Sequence, residues 1–338
     1  MSDSRMQTTG VKVQRSCGER FRKALIELGL FDRNRRITSD EGHVYLPVFP
    51  LNDDAQRMLR KISGFEIIEA DFKLEERNLS PEEILGFRPG FEVVGDIAIV
   101  EPEDAEKVKE IADVLMSLYR SIKTVITPVS DVEGEFRTRR FRHIAGQPRT
   151  TTIHKEHGLR YCIDLEGAYF SPRLGTERLR VARQIHPGDV VLDMFAGVGP
   201  FALLLAKKGA NVVAIDKNPV ATRCLRKNAQ LNKVHAEILE GDSADLALRY
   251  ENAADHVIMN LPHSTSQFLA PAIRAAKSGG VVHYYSIASV ENLYADTKLI
   301  KNAASSIGAS VEIQYQGIVR SYAPKRYNIV IDFRLIKP

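Results

Sequence analysis

Cysteine is scarce in this chain of 338 residues: Cys17, Cys162 and Cys224 stand too far apart for a disulfide framework or a metal-ligand spacing. Their scatter fits buried thiols in a reducing cytoplasm. Long apolar runs are missing as well. No stretch approaches the ~20 residues of a membrane-spanning helix, and Met1-Ser2-Asp3-Ser4-Arg5 has no apolar core of the kind that marks a secretory signal. There is no internal repeat or low-complexity segment, although the first ten residues are polar enough to be expected to be disordered. Charge is nearly balanced. Lys and Arg total 47 against 43 Asp and Glu, a formal +4 with a pI near 8.8. That is too mild to demand a nucleic-acid partner, but it leaves room for a local basic face. The chain reads as a soluble intracellular protein, long enough for two or three domains with a substantial core.

Periodicity divides the chain into segments. Residues 1–70 read as a small module, with a helix over 18–28, a strand at 44–48, a helix over 53–62 and an extended segment at 65–68. The charged stretch 71–78 reads as a linker, and Ser80-Pro81-Glu82-Glu83 as the cap and first turn of the next helix. A middle domain spans 79–165, with two strands around Gly95-Asp96, an amphipathic helix over 103–120 and a strand at 161–165. From 166 to 338, strands near 190–194, 212–216, 236–240, 256–260 and 281–287 alternate with helices, the pattern of a doubly wound parallel sheet. The tail carries two strands, 311–315 and 327–333, with no helix between them. A closing antiparallel hairpin of this kind is typical of class I methyltransferases.

The most specific motif lies at the first of these strands. Apolar Val190-Val191-Leu192 runs into Asp193-Met194-Phe195-Ala196-Gly197-Val198-Gly199-Pro200-Phe201, a strand followed by a glycine turn and a helix. Gly197 and Gly199 let the backbone turn sharply and approach a ligand at a helix amino end. The third glycine of the dinucleotide fingerprint is absent, which argues against a nicotinamide site. Asp216 ends the second strand about twenty residues on, where a carboxylate accepts both hydroxyls of a ribose. The alternative role, and the lesser one, is to cap the helix at Asn218-Pro219. Asp242, after the third strand, is placed to accept from an adenine amino group or to serve as a plain turn carboxylate. Asn260-Leu261-Pro262 follows the fourth strand at the ligand-binding edge, either facing a planar base or forming an ordinary strand-to-helix turn.

Together with Glu133-Gly134-Glu135-Phe136-Arg137, the run Tyr169 to Arg178 and Arg320-Ser321-Tyr322-Ala323-Pro324, these motifs closely resemble the archaeal and eukaryotic tRNA (guanine-N1)-methyltransferases over nearly the whole chain. The resemblance implies a class I fold, S-adenosylmethionine held by Asp193, Phe195, Ala196, Gly197, Val198, Gly199, Asp216, Asp242, Asn260 and Pro262, and methylation of N1 of guanosine 37 in tRNA. N1 carries a hydrogen and is a poor nucleophile until that proton leaves, so the reaction needs a base and a group to hold charge on O6. The resemblance gives the first role to Glu177 and the second to Arg137, with Asn260 orienting the base. Arg173 either shares the role of Arg137 or clamps a phosphate, and Tyr169 stacks on a flipped base. On spacing alone, Arg173 and Glu177 read equally well as a surface pair and Tyr169 as core.

The basic run Arg137, Arg139, Arg140, Arg142, His143 and Arg149 has no acidic residue until Glu156. By itself it reads as a solvated face. The resemblance assigns Arg139, Arg140 and Arg142 to tRNA phosphates, with Lys325 and Arg326 as weaker candidates, and makes the first module a monitor of the tRNA body in a monomeric enzyme. His154 and His157 read as structural, and methyl transfer from a sulfonium requires no metal. The rivals are a wyosine-pathway aminocarboxypropyl transferase, a dual-specificity methyltransferase distinguished near His263 and Tyr169, and a non-catalytic tRNA-binding protein.

Overall fold

The computed structural model describes residues 8–74, 79–101 and 105–338, with side chains in the last stretch from Lys107 onward. Residues 1–7, the second half of the expected linker (75–78) and the first two residues of the helix expected over 103–120 lie outside the described residues. Contacts divide the chain into two units, residues 1–80 and 81–338.

In the first unit, strands β1 (Thr8–Gln14), β2 (Thr38–Ser39), β3 (His43–Pro47) and β4 (Glu66–Ala70) form an antiparallel sheet in the order β2-β3-β1-β4. The segment expected to be disordered thus includes Thr8–Gly10 at the head of a central strand. Val11 and Val13 alternate inward from it, meeting Phe21 and Leu25 of α1 (Gly18–Glu27) and Leu59 of α2 (Asp53–Arg60). Asn52 caps α2 by accepting from the Ala55 N–H at 2.8 Å. The first half of the supposed linker also belongs to this fold. Phe72 is buried, and Arg35 Nη1 donates to its carbonyl at 2.8 Å. A Cβ on Gly10 would overlap the Phe72 ring, so β1 needs a glycine where that ring crosses it.

In the second unit, α3 (Pro81–Leu85) precedes a four-stranded sheet of β5 (Phe91–Val94), β6 (Ile97–Val100), β7 (Thr124–Pro128) and β8 (Phe141–Gly146), in that spatial order. α4 (Ala105–Leu118) makes the crossover between the parallel strands β6 and β7. A hairpin, β9 (Thr151–Glu156) and β10 (Leu159–Asp164), and α5 (Gly175–Ala182) lead into the large sheet. Its strands are β11 (Val190–Asp193), β12 (Asn211–Asp216), β13 (Glu237–Glu240), β14 (Ala254–Met259), β15 (Ala276–Ser289), β16 (Ser310–Ala323) and β17 (Arg326–Ile336). Their order is β13-β12-β11-β14-β15-β17-β16, parallel as far as β15 and antiparallel across β17, which lies between β15 and β16.

Helices cover both faces of that sheet. α5, α6 (Ala202–Lys207) and α7 (Pro219–Asn232) pack on Ile258, Tyr285 and Val330. Residues one step along the same strands, including Val257, Tyr284 and Ile329, face the other side. There they meet α9 (Leu269–Ala275) and α10 (Asp296–Ser305), with α8 (Ser243–Leu246) beside β12. The apolar strand interiors follow from burial on both faces. Val94, Ile97 and Ile126 of the smaller sheet join the first of these cores, so the middle segment and the large sheet share one interior.

Candidate active site

A cavity opens at the carboxyl ends of β11, β12 and β14, where parallel sheets bind ligands. The glycine turn forms part of its wall through Phe195, Ala196, Gly197 and Pro200. Asp193, Val198 and Gly199 were expected there too, but they stand behind the lining. Asp193 is fully buried, and burial together with the nearby Asp216 charge raises its carboxyl to about 7. Val198 is packed in the core. Gly199 has φ of 92°, and a Cβ there would run into Leu225 of α7 and Leu203 of α6. Its absent side chain therefore makes room for helices, whereas at Gly197, with φ of 55°, a Cβ would meet only the Tyr169 carbonyl at ordinary contact distance.

Asp216 lines the cavity, its carboxylate accepting from the Gly197 N–H at 2.7 Å and the Asn218 N–H at 2.8 Å. Burial raises its pKa. The helix cap for which Asp216 was the other candidate comes instead from Asn218, whose Oδ1 accepts from the Val220 N–H at 2.9 Å. Asp242 also lines the cavity while capping α8 through the Ala244 N–H. Lys217 Nζ bridges Asp242 at 3.3 Å to Glu135 at 2.6 Å, linking the large sheet to the loop between β7 and β8. With apolar walls from Phe195, Leu261, Phe268 and Ile287, this pair of acceptors fits a nucleoside: an acid for vicinal hydroxyls beside a slot for a planar base.

The opposite wall draws on distant segments. Asn260, Leu261, Pro262 and His263 follow β14. Arg137 enters from a tight turn in which Glu133 pairs with Thr138, and its φ of 54° is unusual for a side chain of its size. Tyr169 is 41% exposed and its hydroxyl accepts from Arg320 at 3.3 Å, so it is not a core residue. His263 stacks edge-on to Tyr322 at 5.3 Å, and burial, with the charges of Arg137 and Arg326, lowers its pKa.

Glu177 does not line this cavity. It is 8% exposed on α5, and its carboxylate accepts from Arg180 at 2.8 and 2.9 Å and from the Tyr285 hydroxyl at 2.6 Å. Arg180 in turn reaches Asp332 at 2.6 Å, and Asp332 meets His283 at 2.9 Å. The partner of Glu177 is thus Arg180 rather than Arg173. Arg173 is 57% exposed, pairs with Glu92 at 3.2 Å and lies in an adjoining groove. Tyr285 sits two residues before Ile287 on β15, so Glu177 lies just behind the cavity wall.

That groove shares Arg137, Tyr169, Ser171, Arg320 and Tyr322 with the cavity and carries Arg139 and Arg140. Arg139 is paired with Glu101 at 3.2 Å. Arg142, on β8, Lys325, in the β16–β17 turn, and Arg326, at the start of β17, line neither space, and Arg326 lies over the Tyr322 ring. His154 and His157 are structural: His154 Nδ1 accepts from the Gly95 N–H, and His157 meets the Gly175 carbonyl.

The sequence reading missed Ser171, Arg178, Lys217 and Asn328 as lining residues. Arg178 is 2% exposed, held by Glu156 and the Ser171 carbonyl, yet its Nε, like Ser171 Oγ and Asn328 Oδ1, has no partner among the described residues. The available signal for Asn328 was one amide in an otherwise apolar strand, Tyr327-Asn328-Ile329-Val330-Ile331.

Comparison with known proteins agrees in extent with this architecture. Residues 152–313 match the TRM5/TYW2 methyltransferase domain, 10–56 the tRNA methyltransferase 5 N-terminal domain and 74–150 the TYW2 N-terminal domain. The chain is 40% identical to tRNA (guanine(37)-N(1))-methyltransferase Trm5b of Pyrococcus abyssi, over 97% of this chain and 99% of that one. It is 30% identical to the tRNA(Phe) (4-demethylwyosine(37)-C(7)) aminocarboxypropyltransferase of Pyrococcus horikoshii, over 76% and 93%. Among solved structures, the complex of aTrm5 with tRNALeu matches with a TM-score of 0.68 at 35% identity, over 96% of this chain and 99% of that one.

Proposed function

Because the chain belongs to the tRNA (guanine(37)-N1)-methyltransferase family, we propose that it transfers a methyl group from S-adenosylmethionine to N1 of guanosine 37 in tRNA. The observation that carries this reading is that one cavity joins a wall suited to a nucleoside, centred on Asp216, to Arg137, Asn260 and Tyr169 from other segments. Asp216 would hold the ribose hydroxyls, Asp242 the adenine amino group, and Phe195, Leu261 and Pro262 the adenine faces. The bound cofactor supplies an electrophilic methyl on a sulfonium centre.

Arg137 stabilises charge on O6, and no shift of its own proton is needed. Asn260 offers a donor and an acceptor to the base edge, and Tyr169 stacks on its face. Glu177 takes the N1 proton. To do so it turns from Arg180 toward the cavity, and Arg180 keeps Asp332 as its partner when it is released. Arg139, Arg140 and Arg173 along the groove follow the phosphates of the anticodon loop, while the first unit reads the tRNA body. The enzyme acts as a monomer in the cytoplasm. Among the described residues no helix is long and apolar enough to cross a membrane.

The test uses unmodified tRNA and cofactor labelled separately in its methyl and aminocarboxypropyl groups. Methyl label in 1-methylguanosine from position 37 is the expected result. Transfer of the aminocarboxypropyl arm, or no transfer by protein that binds cofactor, overturns the reading. Glu177→Gln should keep tRNA affinity while losing most single-turnover rate; an unchanged rate removes Glu177 as the proton acceptor.

A further inference from the structure

Among the described residues no hydrogen bond or ion pair holds the Arg137 guanidinium, so its place in the cavity wall depends on the turn that carries it. That turn is closed from within: the Glu133 N–H donates to the Thr138 carbonyl at 3.0 Å and the Arg137 N–H to the Gly134 carbonyl at 3.2 Å. Outward from residues 133–138, the one polar link to the large sheet among the described residues is Glu135, whose Oε1 accepts from Lys217 Nζ at 2.6 Å. Lys217 rises from a fixed base. It follows β12 directly, and the next residue is pinned where the Asn218 N–H donates to Asp216 at 2.8 Å and Asn218 Nδ2 to the Gly167 carbonyl at 2.7 Å. Asp242, which caps α8, steadies the ammonium from the other side at 3.3 Å. Glu135, Lys217 and Arg137 all line the same cavity.

Building on the function proposed above, we infer that Glu135 and Lys217 are positioning residues for Arg137: their ion pair holds the turn against the large sheet, so that the guanidinium stands where charge develops on O6. Neither side chain touches the reacting atoms. An exposed ion pair contributes little to the stability of a fold, so the use of this one lies in the geometry it selects. Charge on O6 grows only as the N1 proton leaves, and a guanidinium out of place is felt in the transition state far more than in the bound complex. A loosened turn therefore costs rate and leaves affinity for the cofactor intact.

The experiment measures single-turnover methyl transfer at saturating tRNA transcript and S-adenosylmethionine, together with the dissociation constant of S-adenosylhomocysteine. Glu135→Gln should slow transfer by about fivefold, the upper end of what an exposed ion pair is worth, and bind S-adenosylhomocysteine as wild type does. Lys217→Met should slow it by a similar factor and the double variant no further, while Lys217→Arg, which keeps the charge, should retain most of the rate. Arg137→Ala should be slower by about a hundredfold, and Glu135→Gln added to it should change nothing, because the link acts only through Arg137. An unchanged rate in Glu135→Gln, the same fivefold loss on top of Arg137→Ala, or weakened S-adenosylhomocysteine in Glu135→Gln overturns the inference alone. Failure of wild type to methylate position 37, or an Arg137→Ala rate equal to that of wild type, overturns the functional reading on which the inference rests.

Discussion

Gly199→Ala should harm the fold far more than Gly197→Ala, though the two glycines sit in one turn and look equivalent in sequence. At Gly199 the added methyl meets two costs. A side chain at φ of 92° is strained by on the order of 1–3 kcal/mol, and its Cβ enters the space of Leu225 and Leu203, both inside the core. Overpacking a filled core costs a further ~1–3 kcal/mol. The sum is about 4 kcal/mol, or a fall of roughly 8–16 °C in the unfolding midpoint of a domain of this size. At Gly197 the φ of 55° is strained as well, but the nearest atom is the Tyr169 carbonyl at ordinary contact distance, 3.7 Å. Its cost is about 1–2 kcal/mol. Because Gly197 lines the cavity, its methyl should instead weaken S-adenosylhomocysteine by about tenfold, roughly 1.4 kcal/mol. Calorimetric unfolding and titration calorimetry on both variants check the pair. A Gly199→Ala midpoint within a few degrees of wild type, or a larger loss in Gly197→Ala, would refute the division of labour.

Three further outcomes are expected. Asp216→Asn should weaken S-adenosylhomocysteine by about tenfold or more, since a charged acceptor for two hydroxyls becomes a neutral one; an unchanged Kd by calorimetry would remove Asp216 from the ribose site. His256 is buried against His283, and burial, with that neighbour, lowers its pKa from 6.5 to about 4. Asp189, Asp255 and Asp332 oppose this shift. The unfolded chain therefore takes up the proton first, and this contribution is present above pH 6.5 and lost as the pH falls through about 4. Relative to His256→Gln, wild type should lose more denaturant stability between pH 7 and 5, and parallel profiles would contradict this. Arg140→Ala should reduce the salt slope of tRNA binding by about 0.7–0.9, and Arg139→Ala, already paired with Glu101, by less; filter binding across a salt series measures both.

The alternation of strand and helix was legible because central parallel strands must be apolar on both faces, and the terminal hairpin because two such strands follow without a helix between them. Within the glycine turn, pattern showed which residues form the loop but not which way each faces. Gly199 packs helices and Asp193 is walled off, a distinction that depends on Leu225, a residue 26 positions from Gly199. Glu177 illustrates the same limit. Spacing at the start of α5 offered Arg173 as partner, but the helix turns Glu177 inward to Arg180 and to Tyr285 from β15, the latter a contact that exists only once the sheet has formed. Strand β1 was missed because its alternating segment is short and follows polar residues, and Phe72 because a lone aromatic among charges looks like part of a linker.

Arg137 projects from the turn between β7 and β8, at the rim of a sheet that shares no strand with the nucleoside-binding one, and Lys217 ties that turn to Asp242. For a lineage under selection, this separates two kinds of change. A turn at the margin of a separate sheet can be rewritten or lengthened while β11, β12 and their glycine loop go on folding as before. Acceptor chemistry can then diverge step by step while the sheet that holds the donor is kept; a relative at 30% identity carries a name that specifies a different base at position 37.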